Sequence, residues 1–189
     1  MAKRNPDDIP GLHVLEPKKF SDHRGFFSEV YNKNRLREAG FEAEFVQDNQ
    51  SLSRHVGVIR GLHFQSPPFA QDKLVRVTRG RILDVAVDIR AGSPTFGDHA
   101  AVELSAENWR QLLVPVGFAH GFATLEPDTE VIYKVTAFYA PDYDHGVFWA
   151  DPEIAIEWGV SAEAAVVSDK DKAQPKLSEI ETPFVFERR

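Results

Sequence analysis

Ten short runs of β-branched and aromatic residues constrain the fold of this chain more than any other feature. Each run is bounded by Gly, Pro, Asp or Asn turn signals, and no long helical pattern alternates with them. This arrangement favours a mainly β, antiparallel sandwich or barrel over a parallel α/β sheet. The predicted strands are Leu12–Leu15, Gly25–Tyr31, Phe45–Ser51, Val56–Phe64, Leu74–Val77, Ile82–Ile89, Ala100–Leu104, Gln111–Val114, Ala119–Thr124 and Glu130–Phe138.

Helical signals are few and lie at the periphery of the pattern. Asn34–Ala39 predicts a short helix that ends at Gly40. Beyond Ile154, the sequence predicts a strand at Ala155–Trp158 and a short helix at Ser161–Ala165. The length of 189 residues suits one domain, residues 1–189, with a core from about residue 11 to about residue 175.

Charge and composition exclude several classes of partner. The formal net charge of −7 argues against binding to nucleic acid or to anionic membranes, which need basic surfaces. The chain has no cysteine, which excludes disulfides and thiol nucleophiles and fits a reducing compartment. No apolar leader and no stretch near the roughly 18 apolar residues of a membrane span is present. We therefore expect a cytoplasmic protein with neither nucleic acid nor membrane as a partner.

The run Arg60–Gln65 carries the most informative local pattern. It places His63 at the end of an apolar strand, where cupin barrels usually carry a metal-binding His-x-His, but Gln65 stands at the second position. An amide oxygen is a poor replacement for imidazole as a ligand of softer metals. A second cupin-like motif at 115–122 aims His120 at the same interior. We expect both histidines to face one cavity that uses no metal.

Strand periodicity divides these side chains between two faces. His63 and Gln65 are two residues apart and share a face, whereas Arg60 is three residues from His63 and would point away from it on a regular strand. A bend or a neighbouring subunit is needed if both line one site. Tyr133 lies among aliphatic residues and would otherwise be a core aromatic.

Seven motifs follow one another in the order found in dTDP-4-dehydrorhamnose 3,5-epimerases, and the chain resembles that family from about residue 11 to about residue 175. The motifs lie at residues 20–29, 47–51, 60–65, 73–75, 115–122, 133–134 and 168–171. The resemblance implies a cupin jelly roll that forms a homodimer. It implies inversion of C3 and C5 of a dTDP-4-keto-6-deoxyhexose, with no cofactor and no catalytic metal.

The resemblance also implies catalytic roles. His63 would be the base, Asp171 would orient its ring, and Tyr133 would be the acid on the opposite side. Lys73 would contact the substrate near the ketone oxygen. Such residues suit the chemistry, because a C4 ketone acidifies the protons on both neighbouring carbons and an inversion needs two proton-handling groups. Asp171 is preferred to the nearby Asp169 because the family pattern Ser-x-Lys-Asp ends there.

Substrate binding is implied for a further set of side chains. Guanidinium groups suit phosphate oxygens, because they donate in a bidentate geometry. Asp144 stands where the family usually has Glu, one methylene longer, which leaves its substrate contact open. The implied binding residues are Arg24, Glu29, Gln47, Asn49, Arg60, Lys73, His120, Asp144 and Lys170.

Three alternatives stand beside the double epimerase. A single-carbon epimerase would share the same base and acid. A metal-dependent cupin enzyme would need a set of three or four His and Glu ligands, against which Gln65 argues. A sugar-binding cupin without activity would lack the base or the acid, whereas His63 and Tyr133 are both present.

Overall fold

A computed structural model describes residues 1–187 of the chain. Most of the regular structure consists of strands, as expected. The strands are β1 (Lys3–Arg4), β2 (His13–Leu15), β3 (Lys19–Asp22), β4 (Gly25–Ser28), β5 (Gln47–Ser53), β6 (Val58–Gln65), β7 (Lys73–Arg79), β8 (Arg81–Asp88), β9 (His99–Ser105), β10 (Gln111–Val114), β11 (Phe118–Thr124), β12 (Thr129–Val135), β13 (Asp144–Gly146) and β14 (Val166–Val167). The helices are α1 (Lys33–Glu38) and α2 (Asp169–Lys172), with short 3-10 turns at Pro6–Asp8, Pro141–Tyr143 and Leu177–Glu179.

Two larger sheets and one separate hairpin make up the β structure. The seven-stranded sheet has the order β1-β9-β8-β11-β6-β13, with β14 also paired to β6. The five-stranded sheet has the order β2-β10-β7-β12-β5, and β3 pairs only with β4. Among the strands of the described residues, β1 with β9 and β14 with β6 run parallel, and the other pairs are antiparallel. This topology confirms the predicted mainly β, cupin-type jelly roll with a few short peripheral helices.

The main core fills the space between the two sheets. Because side chains alternate along a strand, every second residue of each strand reaches this interior. Val75, Leu112 and Val131 enter from the five-stranded sheet, while Ala86 and Leu104 enter from the seven-stranded sheet. The polar site residues lie at one end of this interior.

A second core lies on the outer face of the seven-stranded sheet. There Ile59, Val85 and Ala119 pack against the C-terminal segment, which contributes Trp158 and Phe184. The C-terminal segment therefore covers one face of the sheet and is held next to the strands that carry the site.

Two predictions for the C-terminal segment were wrong. Ala155–Trp158 forms no strand, since Ala155 has a φ of 53°, in the left-handed region that β-strands exclude. Trp158 is buried by packing, and its indole Nε1 donates to the carbonyl of Trp149 at 2.8 Å. Ser161–Ala165 is a single turn and not a helix.

Between residues 1 and 187, no helix is long and apolar enough to cross a membrane.

Candidate active site

A cleft with two lobes opens at one end of the interior between the sheets. The larger lobe has a volume of about 480 Å³, and the smaller lobe has a volume of about 240 Å³. His63, Lys73 and Tyr133 line both lobes and therefore lie at their junction. The structure thus brings three of the predicted catalytic side chains to one place.

A β-bulge in β6 brings Arg60 and His63 to the same side. His63 pairs with His120 on β11, but Arg60 pairs with Phe122, so β6 carries one residue more than its partner between these pairs. The extra residue restores the alternation, and both side chains line the larger lobe. Gly61 permits the bulge, because its φ is 117° and a Cβ would lie 2.6 Å from the carbonyl oxygen of His120. The bulge is the local bend that strand periodicity required, and no neighbouring subunit is needed.

His63 and Asp171 form a hydrogen-bonded pair. The Nε2 atom of His63 lies 2.5 Å from Oδ1 of Asp171, which is almost completely buried. Ser168 caps α2 by accepting from the backbone N–H of Asp171, which holds the carboxylate in the first turn beside β6. Burial opposes ionisation, but the hydrogen bond and charge of His63 bring the pKa of Asp171 below its ordinary value. The pair is thus an imidazole oriented by a carboxylate.

Tyr133 and Lys73 approach the junction from the other sheet. Tyr133 lies on β12 opposite Val75 of β7, and Lys73 lies two residues from Val75 on the same face. His63 comes from the seven-stranded sheet. A ligand at the junction would therefore have His63 on one side and Tyr133 on the other.

Burial changes the proton affinities of these two groups. It lowers the pKa of Lys73 to about 8, against the opposing charges of Asp144 and Asp84. It raises the pKa of Tyr133, so the phenol keeps its proton at neutral pH. Tyr133 can act as a proton donor, and Lys73 can serve as a hydrogen-bond donor to a developing negative charge. The ammonium also donates to the carbonyl of His63 at 3.2 Å.

His120 lies directly across from His63 and has a carboxylate partner of its own. Its Nε2 atom lies 2.8 Å from Oδ1 of Asp84 on β8. His120 lines the larger lobe, whereas Asp84 is fully buried behind it.

The remaining predicted binding residues divide between the lobes. Gln47 and Asn49 line the smaller lobe, where the amide of Gln47 donates to Asn49 at 2.8 Å. Lys170 lines the larger lobe and donates to Asp144 at 2.5 Å. Asp144 lines the smaller lobe and also accepts from the hydroxyl of Tyr139 at 3.0 Å. Asp144 therefore connects Lys170, which lines the larger lobe, with Tyr139, which lines the smaller lobe.

Two predicted binding residues do not reach the cleft. Arg24 is at the tip of the β3–β4 hairpin, where its exposed guanidinium pairs with Asp22 at 2.6 Å. Glu29 pairs with Arg35 at 3.2 Å. Neither residue lines a lobe of the cleft.

Gln65 supports neighbouring loops with both ends of its amide. The nitrogen donates to the carbonyls of Phe69 at 2.7 Å and Phe138 at 3.2 Å, and the oxygen accepts from the backbone of Ala140 at 2.8 Å. Within residues 1–187, no three His, Cys, Asp or Glu side chains are grouped so that they could hold a metal ion.

Sequence reasoning missed several side chains that surround the predicted ones. Ser51, Phe122 and Ser168 line the larger lobe. Tyr139 lines the smaller lobe. Period-two alternation with Asn49 could have found Ser51, but no local signal pointed to Asp84, which looks like one of two acids on the same face of β8.

Comparisons with known proteins agree on one family. The family model described as dTDP-4-dehydrorhamnose 3,5-epimerase matches residues 6–179. A dTDP-4-dehydrorhamnose 3,5-epimerase of Sinorhizobium fredii is 51% identical over 94% of this chain and 91% of its own.

Solved structures support the same assignment. A dTDP-4-dehydrorhamnose 3,5-epimerase from Bacillus anthracis, with TDP and PPi bound, is 53% identical with a TM-score of 0.85, over 88% of this chain and 94% of its own. A dTDP-6-deoxy-D-glucose-3,5-epimerase from Legionella pneumophila, in complex with dTDP-4-keto-L-rhamnose, is 46% identical with a TM-score of 0.86. The match covers 90% of this chain and 89% of its own.

A more distant structural match acts on a single carbon. It is a variant of ChmJ, a 3'-monoepimerase from Streptomyces bikiniensis, with dTDP bound; it is 33% identical with a TM-score of 0.85, over 93% of this chain and 87% of its own. The family match spans most of the chain, and six of the seven sequence motifs contribute side chains to one cleft. The chain belongs to the dTDP-4-dehydrorhamnose 3,5-epimerase family.

Proposed function

We propose that this protein inverts C3 and C5 of dTDP-4-keto-6-deoxyglucose to give dTDP-4-keto-L-rhamnose. The observation that carries the proposal is the junction of the two lobes, where His63 and Tyr133 enter from opposite sheets with Lys73 beside them. Inversion at carbon needs this arrangement, because the proton must leave one face of the sugar and return to the other.

The first step is removal of a proton next to the ketone. His63 takes the proton from C5 or C3, the C–H electron pair enters the carbon–carbon bond, and the C4 oxygen becomes an enolate. Asp171 orients the imidazole and stabilises the imidazolium that forms. Lys73 donates to the enolate oxygen.

The second step returns a proton from the opposite face. Tyr133 protonates the same carbon, the ketone re-forms, and the configuration is inverted. The phenolate regains its proton and His63 loses one, so no net proton is gained over the cycle. The same groups serve both carbons when the sugar presents each in turn.

Side chains around the junction would hold the nucleotide part. Arg60 and Lys170 in the larger lobe supply positive charge for the diphosphate, and Gln47 and Asn49 in the smaller lobe supply amides. The bound TDP, PPi and dTDP-sugar of the relatives support a ligand of this class. The ChmJ variant replaces a histidine and a tyrosine 70 positions apart, which is also the separation of His63 and Tyr133 (133 − 63).

Proton NMR in deuterated water tests the proposal. With dTDP-4-keto-6-deoxyglucose as substrate, we expect the C3 and C5 proton signals both to disappear and the L-configured product to accumulate. Loss of one signal alone would instead support a single-carbon epimerase such as ChmJ. Retention of both signals would refute an epimerase acting on this sugar.

Activity should survive exhaustive chelation, because the proposed steps use side-chain acids and bases and both ends of the Gln65 amide are already bonded to backbone groups. The measurement is turnover before and after treatment with a chelator. A metal-dependent cupin isomerase treated in parallel shows that the chelator works. Activity lost on treatment and restored by one divalent metal would contradict the metal-free mechanism.

The β3–β4 hairpin suggests a homodimer that completes the site. Phe20, Phe26 and Phe27 are each at least half exposed on this hairpin, which is a large apolar surface for a free chain. Arg24 at its tip does not line the cleft of its own chain. We infer that the hairpin packs against a second copy, where Arg24 and Glu29 reach the partner's nucleotide.

Sedimentation should give twice the 21.3 kDa mass of the chain. Phe27→Asp should yield a monomer with activity reduced at least about tenfold, because a charge is placed in an apolar contact. Val185→Asp changes an equally exposed apolar residue outside the hairpin and should remain dimeric. A fully active monomer at micromolar concentration would refute the shared site.

We also propose that the protein works as one cupin domain in the cytoplasm without nucleic-acid or membrane partners. The absence of cysteine supports this location, and the net charge of −7 argues against broad electrostatic attraction to nucleic acid or anionic membranes.

A further inference from the structure

Asp84 is a buried carboxylate that is incompletely satisfied. Its side chain is fully buried on β8, and Oδ1 accepts from Nε2 of His120 at 2.8 Å. Oδ2 has no hydrogen-bond partner among the residues that the structure describes. Burial of a carboxylate oxygen without a hydrogen-bond partner is unfavourable, so its position needs a reason.

Asp88 shows that the strand can satisfy such a group completely. It lies four residues further along β8 and is equally buried. Its carboxylate accepts from the guanidinium and backbone N–H of Arg90 and from the hydroxyls of Ser93 and Thr95. Asp84 differs from Asp88 because its one hydrogen-bond partner, His120, lines the cleft. The partners of Asp88 lie in the turn that follows the strand.

Two cleft residues are affected by Asp84. His120 is bonded to it directly. Lys73 lines the same lobe as His120, and the negative charges of Asp144 and then Asp84 oppose the lowering of its pKa by burial. Lys73 is buried and makes one hydrogen bond within the described residues, to the carbonyl of His63, although an ammonium has three donors. The remaining donors are available to the cleft, where a ketone oxygen would lie.

We propose that Asp84 is a positioning residue, which keeps Lys73 as an ammonium at the ketone oxygen and fixes the proton of His120 on Nε2. A carboxylate accepts hydrogen bonds and does not donate them, so Nε2 must carry the proton. Nδ1 of His120 then accepts from a sugar hydroxyl. This inference rests on the proposed function, since it assumes a keto sugar at the junction.

Charge balance supports this role. A lysine buried without a counter-ion loses its proton readily, and a neutral amine stabilises an enolate poorly. A carboxylate behind the cleft supplies the counter-charge without contacting the sugar. The titratable groups that face Lys73 are Asp84 on β8, Asp144 on β13, His63 on β6, His120 on β11 and Tyr133 on β12.

Asp84→Asn tests the inference, because asparagine can still accept from His120 but carries no charge. Lys73 should then deprotonate at lower pH, since the negative charge that favours its protonated form is lost. We expect the alkaline limb of kcat to move down by about one pH unit, so that kcat at the pH of the wild-type midpoint falls about fivefold. KM and dTDP affinity should change by less than about twofold.

Asp88→Asn is the matched control. It removes an equally buried carboxylate from the same strand, so it should lower the melting temperature without moving the limb. A limb that stays in place in Asp84→Asn, or that moves equally in both variants, would overturn the positioning role. Absence of C3 and C5 exchange in the wild type would instead refute the proposed function itself.

A second variant covers the case in which Asp84→Asn does not fold. The double variant Asp84→Asn with Lys73→Met removes both charges and should fold again, because a buried charge is destabilising mainly when its partner is removed. Failure of the double variant to fold would contradict a balance of charge between Asp84 and Lys73.

Discussion

Replacing His63 with alanine should abolish deuterium exchange at both C3 and C5. A general base contributes about 10² to 10⁴ to the rate, and His63 is the imidazole at the junction that has a buried carboxylate partner. The affinity for dTDP should change by less than about twofold, because the base acts on the transition state and not on the nucleotide. NMR in deuterated water measures the exchange, and calorimetry measures the affinity.

Two further variants make this result specific. Asp171→Asn should give a milder defect of the same kind, since the ring keeps a hydrogen-bond partner but loses the charge that stabilises the imidazolium. His55→Ala removes an exposed histidine outside the cleft and should behave as the wild type. Wild-type exchange in His63→Ala would remove this residue from the mechanism.

Tyr133→Phe should separate exchange from inversion. His63 can still take a proton and return one from solvent to the same face, so deuterium enters the substrate with its configuration retained. Inversion should fall by about 10²-fold or more, because the proton donor on the opposite face is lost. The ratio of exchanged substrate to epimerised product, followed by NMR, should rise by the same factor.

Tyr31→Phe is the control for this variant, since Tyr31 packs against Phe45 with ring centroids 5.5 Å apart and lies outside both lobes. It should leave exchange and inversion coupled. Inversion at the wild-type rate in Tyr133→Phe would mean that the acid is another group or a water molecule and that Tyr133 is a core aromatic.

Most of the fold follows from local sequence patterns. Each of the ten predicted strands overlaps an observed strand, and Gln111–Val114 has the predicted bounds. The motifs also located the three residues that meet at the junction of the lobes. Strands and motifs can be predicted from the sequence because alternation and turn signals depend on residues that are close together in the chain.

The C-terminal segment shows where local patterns fail. Ala155–Trp158 alternates as a strand would, but Trp158 is buried by packing on the outer face of a sheet and forms no ladder. The short helix α2 was not predicted, although Ser168 three residues before Asp171 is a capping pattern that could have indicated it.

The sequence by itself determined the fold class, because alternation and turn residues act at short spacings, and its resemblance to a family implied His63 as the base and Tyr133 as the acid. Only the tertiary structure decided the bulge that turns Arg60 toward His63 and the pairing of His120 with Asp84. It also brought Asp171 to His63 across 108 residues. The physical reason is that strand register and buried charge pairs arise from contacts between distant segments, which no local periodicity encodes.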